Sequence, residues 1–182
     1  MMDNLNKTDW LELALKELAA HGYGALKAQR LAKLLNVTRG SFYHHFKNID
    51  DFNASLIQYW TEQTTEPLVR DVERLDTPSA ALDNLLQQAL RSGAVLERAV
   101  RSWATVDQHV GEMVNKIDQQ RISFAEALLI KLGVDESTAS SRAKLLYWAS
   151  IGRLMMPCLD QHVLSDEEIS GLSILMSERS SA

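Results

Sequence analysis

The stretch from Leu31 to Phe46, LAKLLNVTRGSFYHHF, constrains this chain more than any other. Leu31, Leu34 and Leu35 recur at helical spacing with Ala32 among them. Asn36 interrupts, and Thr38 opens a second short helix with Phe42 and Phe46 four residues apart. This is the pattern of a helix-turn-helix. Asn36 stands where the first helix must stop, a place for a residue that tolerates a left-handed backbone, and Ala32 is small enough to let the two helices cross closely. Val37 and Phe42 fall where a hydrophobic staple would bracket a Thr38 cap. With Phe42 and Phe46 turned inward, Arg39, Gly40, Ser41, Tyr43, His44 and Lys47 are left on the outward faces. These are hydrogen-bonding or cationic side chains, plus one glycine that permits close approach.

The net charge of −5 argues at first sight against a polyanionic partner, but its distribution is uneven. Between Gly22 and Asn48 stand Lys27, Arg30, Lys33, Arg39 and Lys47 with no acidic residue, a local charge of +5. From Thr61 onward, 12 basic and 18 acidic side chains leave a balance of −6. A basic head on an acidic body suits a protein that meets phosphates with one end and avoids them with the other.

Along the chain the pattern is helical throughout. Three prolines and eight glycines in 182 residues leave little punctuation for anything else. Thr8 or Asp9 caps a first helix striped by Leu11, Ala14, Leu15 and Leu18 and ended by His21 and Gly22. Asp50 and Asp51 start a fourth, with Phe52, Leu56, Tyr59 and Trp60 on one face, and Pro67 is expected to bend or end it. Thr77 and Pro78 open a fifth, which closes at Gly93. A sixth carries Leu96, Val100 and Trp103, and a seventh, from Val110 to Leu128, stops at Gly133. Asp135 opens an eighth, dense in apolar residues from Leu145 to Leu159, and Ser165 with Glu168 forms a capping box for a ninth. No strand, repeat or low-complexity linker is apparent, so the passage from Asn53 to Gln63 reads as one continuous helix. The single cysteine, Cys158, in an apolar setting, excludes an intrachain disulfide framework and reads as a buried inert thiol. No signal core follows Met1 and no run reaches membrane-span length, which makes a reducing cytoplasm the simplest location and excludes a membrane partner.

Two passages, WLELALKELAAHGYGAL and RLAKLLNVTRGSFYHHFKNIDDF, make Trp10 to Trp60 resemble the DNA-binding domain of the TetR family of transcriptional regulators. The rest matches that family only in length, helix count and order. The resemblance implies an all-α fold of about nine helices. A helix-turn-helix domain at 1–52 would be joined by a continuous helix to a regulatory and dimerisation domain at 53–182. It also implies a homodimer, a palindromic operator in double-stranded DNA, and a small-molecule effector that releases the protein, as in a repressor. Carried over by position, Arg39, Gly40, Ser41, Tyr43 and His44 form the recognition helix, with Thr38 toward a phosphate, Tyr43 toward a phosphate or a thymine methyl, and Gln29 able to read a base. Lys27 stands where the family often has Ser or Thr. Ile49 stands where many members have a lysine, a phosphate contact that Lys47 would take over.

In the body, Trp103, His109, Met113, Phe124, Tyr147, Trp148, Met155 and Met156 would line a cavity for an apolar or aromatic effector, against the alternative of plain core packing. Leu145, Ala149, Gly152, Leu159, Leu172, Leu175 and Met176 give the last two helices a second apolar face, with small residues for close approach, and are assigned to the dimer interface. His109 and His162 lack partners at metal-ligand spacing, and no metal or cofactor is expected. The rival readings are a helical interaction or small-molecule-binding module without operator binding, and a helical enzyme. For an enzyme no acid–base pair or nucleophile appears.

Overall fold

The computed structural model describes residues 5–91, 94–156 and 163–179, and every regular element among them is helical. Nine α-helices run in order: α1 (Lys7–His21), α2 (Ala28–Leu34), α3 (Arg39–His45), α4 (Ile49–Glu73), α5 (Pro78–Arg91), α6 (Ala94–Ala104), α7 (Gln108–Lys131), α8 (Glu136–Arg153) and α9 (Asp166–Ser177). A short 3-10 turn, Tyr23–Ala25, joins α1 to α2. None of the described helices is long and apolar enough to cross a membrane. Contacts divide the chain into two compact units, Met1–Gln63 with Val95–Asn115, and Thr64–Ala94 with Lys116–Ala182. They do not divide it at 52/53, because α4 is shared between the units and most of α6 with the start of α7 belongs to the first. The boundary at 52/53 is a division by proposed role.

In the first unit the helix-turn-helix turn is a Schellman motif. Asn36 adopts φ +56°, its N–H bonds the carbonyl of Lys33 (3.2 Å), and the N–H of Val37 bonds that of Ala32 (2.9 Å). The expected left-handed stop is therefore where Asn36 is. Thr38 occupies the N-cap of α3, although its hydroxyl makes no capping hydrogen bond. Phe42 is fully buried at the centre of an aromatic cluster. Trp10 of α1 meets it edge-on at 5.5 Å between ring centroids, Phe46 lies at 4.9 Å and Phe52 of α4 at 5.1 Å. Such rings add about 0.5–1.5 kcal/mol per pair beyond the area they bury. Lys7 lies 5.3 Å from the Phe46 ring centroid. Tyr59 of α4 donates its hydroxyl to Glu12 of α1, and burial, followed by the Glu12 charge, raises its phenol above the usual range.

Several local expectations are corrected. Asn6, not Thr8 or Asp9, caps α1, in a capping box with Asp9 (2.7 and 3.1 Å). Asn48 caps α4 through the N–H of Asp51 (2.8 Å), so Asp50 and Asp51 lie inside the first turn. Pro67 does not end α4, which continues to Glu73 and simply forgoes the one helical hydrogen bond that a proline nitrogen cannot donate. Leu34 is half-exposed, because the face of α2 that carries Leu31 and Ala32 already fills the core. Gly93, Pro157, Cys158, Leu159 and His162 lie outside the described residues.

The second unit is built on α5. Leu82, Leu85, Leu86 and Leu90 bury against Leu128 and Leu129 of α7, Ala139, Ala143 and Leu146 of α8, and Ile169 and Met176 of α9. Thr77 caps α5 through the N–H of Ala80 (3.2 Å), Asp135 caps α8, and Gly133 at φ +87° closes α7 in a second Schellman motif. Two arginines hold α9 at both ends. Arg91 donates to the Leu164 carbonyl (2.6 and 2.9 Å) and the Asp166 carboxylate (2.7 Å), and Arg142 to the carbonyls of Met176 (2.9 Å) and Glu178 (2.6 Å). The capping box of α9 is present: the Ser165 N–H donates to Glu168 (2.7 Å), and that bond holds the Glu168 carboxyl below its ordinary range.

Two predictions follow from this local chemistry. Asn36→Val should lower unfolding stability in urea by about 1–2 kcal/mol, the cost of a left-handed backbone for an ordinary side chain, while Asn36→Gly stays within about 0.5 kcal/mol. Equal losses would contradict the motif. Since the Glu168 carboxyl falls on folding, its contribution is complete above the unfolded value of about 4.3 and is lost as pH drops through the lower folded value. Melting temperatures should therefore show a shallower acid-side decline in Glu168→Gln, and an unchanged decline would argue against the box.

Candidate nucleic-acid interface

The local sequence sets what α3 shows to solvent. Phe42 and Phe46, four residues apart, commit one side of the helix to the aromatic cluster, so Arg39, Gly40, Tyr43 and His44 are exposed and Ser41 is half-buried. Thr38, Lys27, Gln29 and Lys47 are exposed as well. All nine residues expected to meet DNA lie in the first unit, and eight are open to solvent.

Their geometry is ordered. An Arg39 guanidinium nitrogen donates to the Tyr43 hydroxyl oxygen at 3.1 Å, and the guanidinium carbon lies 5.6 Å from the Tyr43 ring centroid. One turn of helix thus holds the arginine against the tyrosine and leaves most of its five N–H donors unspent. The tyrosine oxygen, accepting from Arg39, keeps its own proton to donate outward, and a donor that is itself polarised bonds an anionic oxygen more strongly. A Cβ at Gly40 would meet only Thr38 Oγ1 at 3.6 Å, an ordinary contact. No contact among the described residues requires glycine there.

Beside α3 lies an open cleft of about 530 Å³, lined by Gln29 and Lys33 of α2, Asn36 and Val37 of the turn, and Arg39 of α3. Lys33 and Asn36 were not among the residues expected to meet DNA, although Lys33 follows Gln29 by four residues and so shares its helix face. Arg30 leaves the set of free cations. Its Nε and one terminal nitrogen both donate to the same Glu17 carboxylate oxygen of α1, at 2.9 and 2.6 Å. Glu17 lies thirteen residues earlier, beyond the reach of a local charge count.

The residues assigned to an effector cavity are dispersed. In the first unit Trp103 is buried, Met113 half-buried and His109 exposed; in the second, Phe124 and Tyr147 are half-buried on the core, and Trp148, Met155 and Met156 are exposed. The Tyr147 hydroxyl donates to the Asp118 carboxylate at 2.5 Å, and Arg121 donates to the Thr65 hydroxyl at 2.8 and 3.0 Å. Asp107 caps α7 through the Val110 N–H (3.1 Å). Of the residues assigned to a dimer face, Leu145, Ala149, Gly152 and Leu175 are exposed. Leu172 and Met176 turn instead into the core of their own unit, where α9 packs on α5, and Leu159 is outside the described residues. No group of three or more His, Cys, Asp or Glu side chains among the described residues is placed to hold a metal ion.

Comparison with known proteins bears on the fold. Residues 11–55 match the family model for bacterial regulatory proteins of the tetR family. A 71-residue stretch is 28% identical to YuxN, an uncharacterized HTH-type transcriptional regulator of Bacillus subtilis (strain 168); it covers 39% of this chain and 24% of that protein. A transcriptional regulator from Rhodococcus sp. Rha1 superposes with a TM-score of 0.72 at 19% identity, over 95% of this chain and 94% of that one. A TetR transcriptional regulator from Legionella pneumophila gives 0.72 at 17% identity, over 97% of both chains. These structures share the fold.

Proposed function

We propose that this chain, whose residues 11–55 match the family model for bacterial regulatory proteins of the tetR family, is a transcriptional regulator of that family that binds a palindromic operator as a homodimer and is released from it by a small molecule. The observation that carries the reading is the two-sidedness of α3: one face is locked by Phe42 into the aromatic cluster, and the other presents Arg39, Gly40, Tyr43 and His44 to solvent. An α-helix fits the major groove, where an arginine can bond the two acceptors of a guanine edge. Arg39 and His44, with Gln29, take the base-reading role. Thr38, Tyr43, Lys27 and Lys47 take phosphates, which fix register and supply most of the salt-sensitive affinity.

Pairing of two chains is assigned to α8 and α9. Leu145, Trp148, Ala149 and Gly152 recur at helical spacing on the exposed side of α8, and Gly171, Ile174 and Leu175 do so on α9. Trp148 is 64% and Ile174 70% exposed, an apolar surface that a lone chain leaves in water. A Cβ at Gly152 or Gly171 would meet no atom of the described residues within 4 Å, leaving room for a partner helix. Trp148 thereby moves from the effector list to the pairing face. Two reading heads related by one axis then meet half-sites on the same duplex.

Effector control is assigned to the second unit, with Phe124 and Tyr147 as apolar contacts beside the Asp118 carboxylate. Helices α4 and α7 each pass from one unit into the other without a break, which gives a change in packing a covalent route to the reading head. A ligand shifts the DNA-binding population only as far as it prefers one arrangement.

In a gel shift with fragments from upstream of its own coding sequence, the protein should retard at least one fragment in the presence of excess mixed DNA. Tyr43→Ala and Lys47→Ala should weaken binding to every sequence. Arg39→Ala should also flatten preference at one base pair, by about 1–3 kcal/mol. Unchanged binding in all three would refute the assignment. Sedimentation at micromolar concentration should give a dimer that Leu145→Glu with Trp148→Glu converts to monomer; a monomeric wild type would remove the pairing face.

A further inference from the structure

Two arginines of the helix-turn-helix are held in opposite ways. Arg30 places its Nε and one terminal nitrogen on a single Glu17 carboxylate oxygen, which fixes the side chain and neutralises its charge. Arg39 pairs with no carboxylate among the described residues; its guanidinium donates to the neutral Tyr43 hydroxyl, four residues on and 3.1 Å away. A phenol oxygen orders the arginine and leaves its full positive charge in place. The tyrosine can do this because it is itself seated. Its ring meets the fully buried Phe42 ring edge-on, with centroids 5.3 Å apart and planes at 81°, and the Arg39 guanidinium carbon lies 5.6 Å from the Tyr43 centroid. A line of contact thus runs from the aromatic cluster through Tyr43 to an exposed arginine.

This arrangement bears on sequence preference. A long side chain that must be ordered on binding loses about 2- to 12-fold in affinity. A mismatched base pair offers Arg39 no bond and demands no ordering. The loss therefore falls on the matched complex alone and subtracts from the preference for it. An arginine already ordered in the free protein escapes that subtraction.

We infer that Tyr43 is a positioning residue for base reading by Arg39, so that its hydroxyl adds to sequence preference without touching a base. This rests on the DNA-binding reading above and adds to the phosphate contact assigned to Tyr43. The two roles use different parts of one hydroxyl: the oxygen accepts from Arg39, and the proton goes to the phosphate. Donating that proton makes the oxygen a better acceptor, so docking on the duplex tightens the hold on Arg39. A phosphate contact alone fixes register and carries no base preference. Preference at one base pair therefore separates the positioning role from the phosphate role.

The test uses the full chain, a fluorescent duplex from a fragment retarded in the gel shift, and the single-base-pair variants of that duplex, with affinities measured by anisotropy. Arg39→Ala identifies the base pair at which preference falls, by about 5- to 150-fold. At that pair Tyr43→Phe, which keeps the ring and removes the hydroxyl, should lower the preference by about 2- to 12-fold. It should also weaken every duplex and leave preference at the other pairs intact. Lys47→Ala should weaken every duplex with wild-type preference at that pair. In an Arg39→Ala background, Tyr43→Phe should change preference no further. A second readout needs no DNA. Nitrogen relaxation of the Arg39 Nε–H should show a loss of order in Tyr43→Phe, with the melting temperature close to that of the wild type. Wild-type preference in Tyr43→Phe, or unchanged order at Arg39, would overturn the positioning role, as would an equal loss of preference in Lys47→Ala. An Arg39→Ala protein that flattens no base pair, or a wild-type chain that binds no duplex, would instead overturn the base-reading assignment on which the role rests.

Discussion

The structure of the reading head depends on the burial of Phe42. Its ring stands among Trp10 from the helix before, Phe46 one turn further on, and Phe52 from the helix after, all with centroids within 5.5 Å. A seven-residue helix has too few internal hydrogen bonds to hold itself, let alone a rotational setting. The aromatic contacts supply both. Removing a buried aromatic side chain costs about 3–5 kcal/mol, more than any single polar contact on the outward face contributes. The rotation of α3 is thus decided from behind, and Arg39, Tyr43 and His44 are displayed as a consequence.

The same division of labour holds in the second unit on a larger scale. Leucines of α5 form the floor on which α7, α8 and α9 pack, Arg142 bonds carbonyls that the C-terminal end of α9 leaves unpaired, and Arg91 bonds the Leu164 carbonyl just ahead of its N-cap. What the core does not use is displayed: Leu145, Trp148, Ile174 and Leu175 on the outer sides of α8 and α9. In both units the buried pattern fixes which residues remain at the surface, polar and cationic ones on α3 and apolar ones on α8 and α9.

How far this was legible in the sequence depends on the range of each interaction. Asn36 in a left-handed turn, the inward Phe42 and Phe46, the Ser165–Glu168 box and the Thr77 and Asp135 caps are all set by residues within four positions of one another. They could be read from spacing. Arg30 looked like a free cation because its partner, Glu17, comes from the preceding helix, and Pro67 looked like a stop because local rules do not register the packing that carries α4 past it. Met176 was read as an outer-face residue and Trp148 as a cavity residue, whereas Met176 is buried and Trp148 exposed, because apolar residues on adjacent helix faces look alike until a neighbouring helix claims one of them. Lys33 was counted as charge alone, since the cleft it lines exists only once α2 and α3 cross.

The central claim is that the polar side of α2 and α3, held in place from behind, is the surface that meets DNA. Titrating the isotopically labelled protein with duplex and following its backbone amide resonances tests this most directly. The account predicts that the largest shifts cluster at Gln29, Lys33, Thr38, Arg39, Tyr43 and Lys47, with α8 and α9 nearly silent. Shifts centred on α8 and α9, or none at any salt concentration, would contradict it.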